Sequence, residues 1–140
     1  MALHVLAMLA YRDGESVSSG RLAASVNTNP VIIRRLLLAL QAAKIVQSRK
    51  GRGFGSRLSR SAARIDLAEV YRAVDDAVPF GRPRRRPNPA CPVGRRIESE
   101  LERIFRSAQQ ALERDLGRTS LADVLAAIGG SNGRGPLDVK

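Results

Sequence analysis

The chain has 140 residues, a formal net charge of +11, 44% apolar and 4% aromatic content, one cysteine, one histidine and no tryptophan. That length makes one domain with at most an appended arm, and a core limited to Leu, Ile, Val and Ala favours helices. A single cysteine excludes an intrachain disulfide framework and a cysteine-only metal or iron–sulfur site within one chain, while no apolar run approaches the roughly 18 residues of a membrane span and no signal peptide is evident.

A cytoplasmic protein with no membrane partner is therefore expected. Met1 to Arg12 is rich in Ala and Leu, with Leu3, Leu6, Ala7 and Ala10 at helical spacing, and Asp13-Gly14 ends it. This helix begins without a cap or lead-in, so a native start slightly upstream, or a frayed first turn, is expected. His4, the lone histidine, sits in this apolar helix and fits a surface-edge role better than a catalytic one. With no paired-acid motif either, the sequence offers no catalytic machinery, no metal site and no cofactor site, and the chain does not read as an enzyme.

From Ser16 to Arg64 there are ten Lys or Arg residues and no Asp or Glu. The first 64 residues hold eleven basic and two acidic side chains, Asp13 and Glu15, whereas eleven acidic residues lie beyond. A surface of one sign repels itself and is suited to an anionic partner. Within this segment Ser18 or Ser19 can cap a second helix that turns Leu22, Ala23 and Val26 inward. Asn27, Thr28 and Asn29 form a turn, and Pro30 suits the first position of a third helix capped by Asn29. Ile33, Leu36, Leu37 and Leu40 form its buried stripe, opposite Val31, Arg34, Arg35 and Leu38. Two short strands, Ile45–Ser48 and Ser56–Ser59, then flank a basic, Gly-rich tip that makes a hairpin.

Helix, helix, turn, helix and hairpin in that order read as a winged helix-turn-helix. Its third helix can lie in the major groove, where base edges are distinguishable, with its positive N-terminal end towards phosphates. The candidate DNA contacts are Thr28, Asn29, Pro30, Val31, Arg34 and Arg35 on that helix. Arg49, Lys50, Arg52 and Arg57 on the wing can follow the backbone or enter a minor groove. Two plainer alternatives stand beside this: Asn29 acting only as a cap, and the two arginines as solvated charges. The wing is not a nucleotide-binding loop, because its lysine precedes the glycines and no Gly-Lys-Ser/Thr follows.

Ile65 to Asp76 is predicted as a fourth helix. Residues 77–93 hold five prolines and read as a loop. Cys91 lies just before a further predicted helix, where the helix dipole lowers a thiol pKa. It is either a reactive regulatory thiol or a half-buried packing residue. From Gly94 to Leu116 a long helix carries Ile97, Leu101, Ile104, Ala108 and Ala111 at alternating spacings of four and three. Phe105 and Leu112 widen this coiled-coil-like seam, which is the candidate dimer interface. Gly117 stops the helix, Thr119 or Ser120 can cap a last one through Ile128, and the Gly-rich tail is predicted to be disordered. The fold class is mainly α with a small β-hairpin wing. The expected division is a DNA-binding domain over 1–76, a Pro-rich regulatory loop over 77–93, dimerisation helices over 94–128 and a tail over 129–140.

Leu22-Ala23-Ala24-Ser25-Val26-Asn27-Thr28-Asn29-Pro30-Val31-Ile32-Ile33-Arg34-Arg35, Val46-Gln47-Ser48-Arg49-Lys50-Gly51, and Ile65-Asp66-Leu67 with Val70-Tyr71-Arg72-Ala73-Val74 together resemble the Rrf-two family of bacterial transcription regulators. The resemblance covers about Leu3 to Ile128. Asn88-Pro89-Ala90-Cys91-Pro92-Val93-Gly94 and Thr119-Ser120-Leu121-Ala122-Asp123-Val124 look like the branch without an iron–sulfur cluster. It implies a homodimer on double-stranded DNA at a pseudo-palindromic operator, with the long helix crossing to the partner. It also implies repression relieved by a redox, nitrosative or small-molecule signal, the last calling for a small-molecule inducer. Cluster-bearing members carry three cysteines in the loop matching residues 77–93, so with one cysteine no cluster is expected here. The wing departs from the family at Phe54 and Ser56, and the family's usual segment before the first helix is missing. Outside that resemblance, a sequence-indifferent architectural nucleic-acid binder is the rival reading of the same charge.

Overall fold

The structure is a computed structural model and describes residues 1–12, 14–49, 55–74 and 87–129. In chain order come α1 (Ala2–Tyr11), α2 (Ser19–Val26), α3 (Pro30–Ala42), β1 (Val46–Arg49), β2 (Gly55–Leu58), a 3-10 turn (Ala62–Arg64), α4 (Leu67–Val74), α5 (Gly94–Leu116) and α6 (Leu121–Ile128). The wing tip with Lys50 and Arg52, the proline-rich stretch through residue 86 and the tail from residue 130 lie outside the described residues.

Local chemistry sets the turn between α2 and α3. Ser18 Oγ accepts the Arg21 N–H and starts α2. Asn27 ends it in the left-handed region at φ 57°, a conformation Asn tolerates better than most side chains. Asn29 Oδ1 then accepts the Val31 N–H at 2.8 Å, with Pro30 in the first turn of α3, as the sequence leads one to expect. Ile33, Leu37 and Leu40 are buried and Leu36 is partly so, while Val31, Arg34, Arg35 and Leu38 face outward.

The first helix corrects one expectation. Its buried set is Val5, Leu6, Met8 and Leu9, and Leu3 is exposed. The reason is that α1 packs against α2, β2, α4 and α6, which together cover a wider arc than a single stripe. His4 stays at the edge, with Nε2 3.1 Å from Ser25 Oγ.

The wing is more than a hairpin. β1 and β2 pair antiparallel in the register Val46–Leu58, Gln47–Arg57, Ser48–Ser56 and Arg49–Gly55. Val17, between α1 and α2, adds a bridge to β2: its N–H donates to the Ser56 carbonyl at 2.9 Å and its own carbonyl accepts the Ser56 N–H at 2.8 Å. A Cβ on Gly55 would lie 2.7 Å from the Ser16 carbonyl carbon and the Val17 nitrogen, so this close crossing requires a glycine.

The fourth helix starts later than its apolar pattern suggests. Ile65 is extended and fully buried, and its carbonyl accepts the Leu121 N–H while the Leu67 N–H donates to the Thr119 carbonyl. The helix begins only after this bridge, with Asp66 Oδ1 accepting the Glu69 N–H. At the other side of the bridge Ser120 and Asp123 form a reciprocal capping box that opens α6. Leu121 is thereby fully buried in the same core as Val5, Leu6, Leu9, Leu22, Ile33, Leu40, Ile45, Val46 and Ile65. No helix among the described residues is long and apolar enough to cross a membrane.

Candidate nucleic-acid interface

The core stripe of α3 holds Ile33, Leu37 and Leu40 inward, so the same 3.6-residue period turns Val31, Arg34, Arg35 and Leu38 to solvent. Val31 is 62% exposed and Leu38 67%. The helix carries no acidic residue, and among the described residues neither arginine has an ion pair. Thr28 is half-buried in the turn, where its N–H donates to the Ala23 carbonyl at 2.9 Å. Asn29 is exposed, but its side-chain oxygen Oδ1 is committed to the cap. Pro30 is half-buried and sets the helix start.

Arg57 lies on β2, in register with Gln47 of β1. It is half-buried, and its Nε is a buried donor with no hydrogen-bond partner. The Nε of Arg12 carries the same feature, so it does not by itself mark a phosphate contact. The side chain of Arg49, like Lys50 and Arg52, falls outside what the structure describes. Arg60 is neutralised locally by Glu69 at 2.6 Å. Arg21 is different. It is exposed on the first turn of α2, ahead of α3 in the chain, and it was legible only as one more cation in the one-sign segment. The first helix of such a motif crosses the DNA backbone, so Arg21 joins the candidate phosphate contacts.

The segment before α5 folds tightly on itself. Asn88 Oδ1 accepts the Ala90 N–H at 2.9 Å and the Asn88 carbonyl accepts the Cys91 N–H at 3.1 Å. A Cβ on Gly94 would collide with that same carbonyl. Cys91 is exposed, so it is not the half-buried packing residue that the sequence left open. Hydrogen bonds from the Gly94 N–H, and then the Val93 N–H, hold its thiol below the usual thiol range.

Helix α5 has no buried residue along its 23 positions. Ile97, Ile104, Ala108, Ala111 and Leu112 are exposed, and Leu101 and Phe105 are half-buried. Its C-terminal half is tied to α4: Arg72 Nε lies 3.1 Å from Glu113 Oε2, the Tyr71 hydroxyl donates to Gln109 Oε1 at 3.4 Å, and Gln109 Nε2 donates to Glu113 Oε1 at 3.0 Å.

Comparison with known proteins agrees with this geometry. Residues 1–127 match the profile of the Rrf2 family, described as iron-dependent transcriptional regulators. The chain is 42% identical over 125 residues to YwnA of Bacillus subtilis (strain 168), a candidate HTH-type transcriptional regulator, covering 89% of this chain and 92% of that one. A crystal structure of a candidate DNA-binding protein superposes with a TM-score of 0.72 at 40% identity, covering 89% of this chain and 95% of the other. A candidate transcriptional regulator from Lactobacillus plantarum shares the fold at a TM-score of 0.76 and 22% identity, covering 91% and 87%. The iron of the family description does not fit a cysteine-ligated cluster in this chain. The donor set is one thiol and one imidazole, the latter on α1 against Ser25. Among the described residues no three His, Cys, Asp or Glu side chains converge as a metal site.

Proposed function

The chain belongs to the Rrf2 family of transcriptional regulators, and from that premise we propose that it is a homodimeric repressor released from its operator by an oxidising or small-molecule signal. It is a DNA-binding regulator and not an enzyme. The observation that best supports the docking mode is the outward face of α3, where Arg34 and Arg35 stand exposed without an acidic partner. In this reading α3 enters the major groove, Thr28 and Asn29 lie at its mouth, and Arg49, Lys50, Arg52 and Arg57 hold the flank. Arg21 adds a backbone contact. The apolar line along α5 pairs with its copy in a second chain and sets the half-site spacing.

Cys91 is the proposed sensor. Its thiolate attacks one oxygen of a peroxide, the O–O bond breaks, water leaves after protonation, and the sulfur becomes a sulfenic acid. A second thiol, from the other subunit's copy of this cysteine or from a small cellular thiol, then attacks the sulfenic sulfur and forms a disulfide with loss of water. Either product changes the start of α5 and so the spacing of the two α3 helices.

Fluorescence anisotropy at fixed, near-physiological salt tests the reading, comparing DNA from upstream of the gene, together with duplexes selected from a random library, against scrambled duplex. A preference of roughly 10³ or more is expected of a specific regulator. Equal binding to every duplex would instead favour an architectural role. Cys91→Ser is expected to abolish release by peroxide. An undiminished release would remove Cys91 as the sensor, whereas wild-type DNA affinity unchanged by peroxide, hypochlorite and nitric oxide would favour a small-ligand signal.

A further inference from the structure

We propose that α3 reads thymine, with Val31 and Leu38 packing against C5-methyl groups in the floor of the major groove. The inference rests on the reading of α3 as the groove-docking helix and names what its outward face selects.

Single exposed aliphatic side chains are ordinary and need no explanation. The arrangement on α3 is not a scatter. Val31 and Leu38 are seven residues apart, two helical turns, so they line up on one face about 10 Å apart along the axis. They are 62% and 67% exposed, more than Ile32 on the same helix at 47%. Arg34 and Arg35 lie between them, and no acidic residue occurs anywhere on α3. The helix end beside Val31 is capped and needs nothing further from these side chains.

A protein partner for this face would have to bury two guanidinium groups along with the aliphatic ones. Duplex DNA satisfies both kinds of group at once. Phosphates line the rim of the major groove, guanine presents acceptors to arginine, and thymine presents a methyl group to an apolar side chain. The four residues therefore alternate in chemistry as the groove does. Val31 and Leu38 each cover one methyl, and Arg34 and Arg35 take guanine edges or phosphates between them. RNA is excluded by the same chemistry, because uracil lacks the methyl and the A-form major groove is too narrow for the helix.

The test uses the full-length protein and the tightest duplex recovered from a random library. Thymines are replaced by deoxyuridine one at a time, which removes only the methyl group. Wild-type protein is expected to lose about three- to fivefold in affinity at the contacted positions, the scale of one buried methyl. Val31→Ala should bind the thymine duplex more weakly by a similar factor and show no further loss at one of those positions. Leu38→Ala should do the same at another. Both side chains are exposed, so both variants are expected to melt with the wild type. Indifference of the wild type to every uracil, with site preference intact, overturns the methyl reading and leaves the docking of α3 standing. A uracil penalty of full size in both variants overturns the assignment to these residues. Absence of any preferred duplex overturns the docking reading and this inference with it.

Discussion

At Cys91 the sequence shows a thiol near a helix start, and the structure supplies what that position does. The Gly94 and Val93 N–H groups point at the sulfur because the preceding turn is closed by the Asn88 carbonyl, which leaves no room for a Cβ at Gly94. Both hydrogen bonds favour the thiolate, so the pKa falls and alkylation of Cys91 should persist to lower pH than for an ordinary thiol. Gly94→Ala must push the carbonyl away and open the turn. Its alkylation midpoint, followed by mass spectrometry across pH, is expected to rise towards the ordinary range. An unchanged midpoint would mean that the turn does not set the thiol's acidity. No periodicity or composition encodes these N–H directions. They depend on a backbone approach between residues six apart.

Among the elements, those governed by local chemistry were legible and those governed by distant contacts were not. The start of α3 at Pro30, the bounds of α5 and the Asn29 cap follow from residues within four positions of each end, and of the two candidate caps for α6 the structure uses Ser120. The outward set Val31, Arg34, Arg35 and Leu38 follows from the 3.6-residue period for the same reason. By contrast, the bridge between Val17 and Ser56 joins segments 39 residues apart, and a one-residue strand leaves no alternation to detect. The late start of α4 likewise depends on pairing with residues around Leu121. Arg57 looked like a free cation because sequence does not show that its Nε is buried. The bridge gives a prediction for the wing. Gly55→Ala drives a methyl into the Ser16–Val17 backbone and breaks two buried hydrogen bonds. A loss of about 2–3 kcal/mol in unfolding free energy is expected. DNA affinity should fall as well, since the wing loses its seat against α1. Denaturant melts and anisotropy on the same samples check both.

For the whole molecule, the charge and the apolar surface are separated along the chain. The net positive charge gathers in the winged part, and α5 carries mixed charge with an apolar line that is exposed or half-buried among the described residues. Ile104 is central to that line and 49% exposed. Ile104→Glu is expected to give a folded monomer by sedimentation velocity, because the protomer core does not contain this side chain. Operator affinity should drop by more than tenfold as two linked half-sites become one. A variant that remains dimeric would place the interface elsewhere. The attachment of α5 has a mechanical meaning. Its C-terminal half is fastened to α4 through Glu113 and Gln109, and the following residues are locked into the core by Leu121. The helix is thus a lever with its fulcrum at Gln109 and an arm of about 22 Å reaching back to Gly94. A tilt of about 5° at the fulcrum sweeps the far tip through about 2 Å. In the proposed reading of Cys91 as a sensor, leverage would run both ways, and a chemical change at the tip would be felt at α4 through this arm.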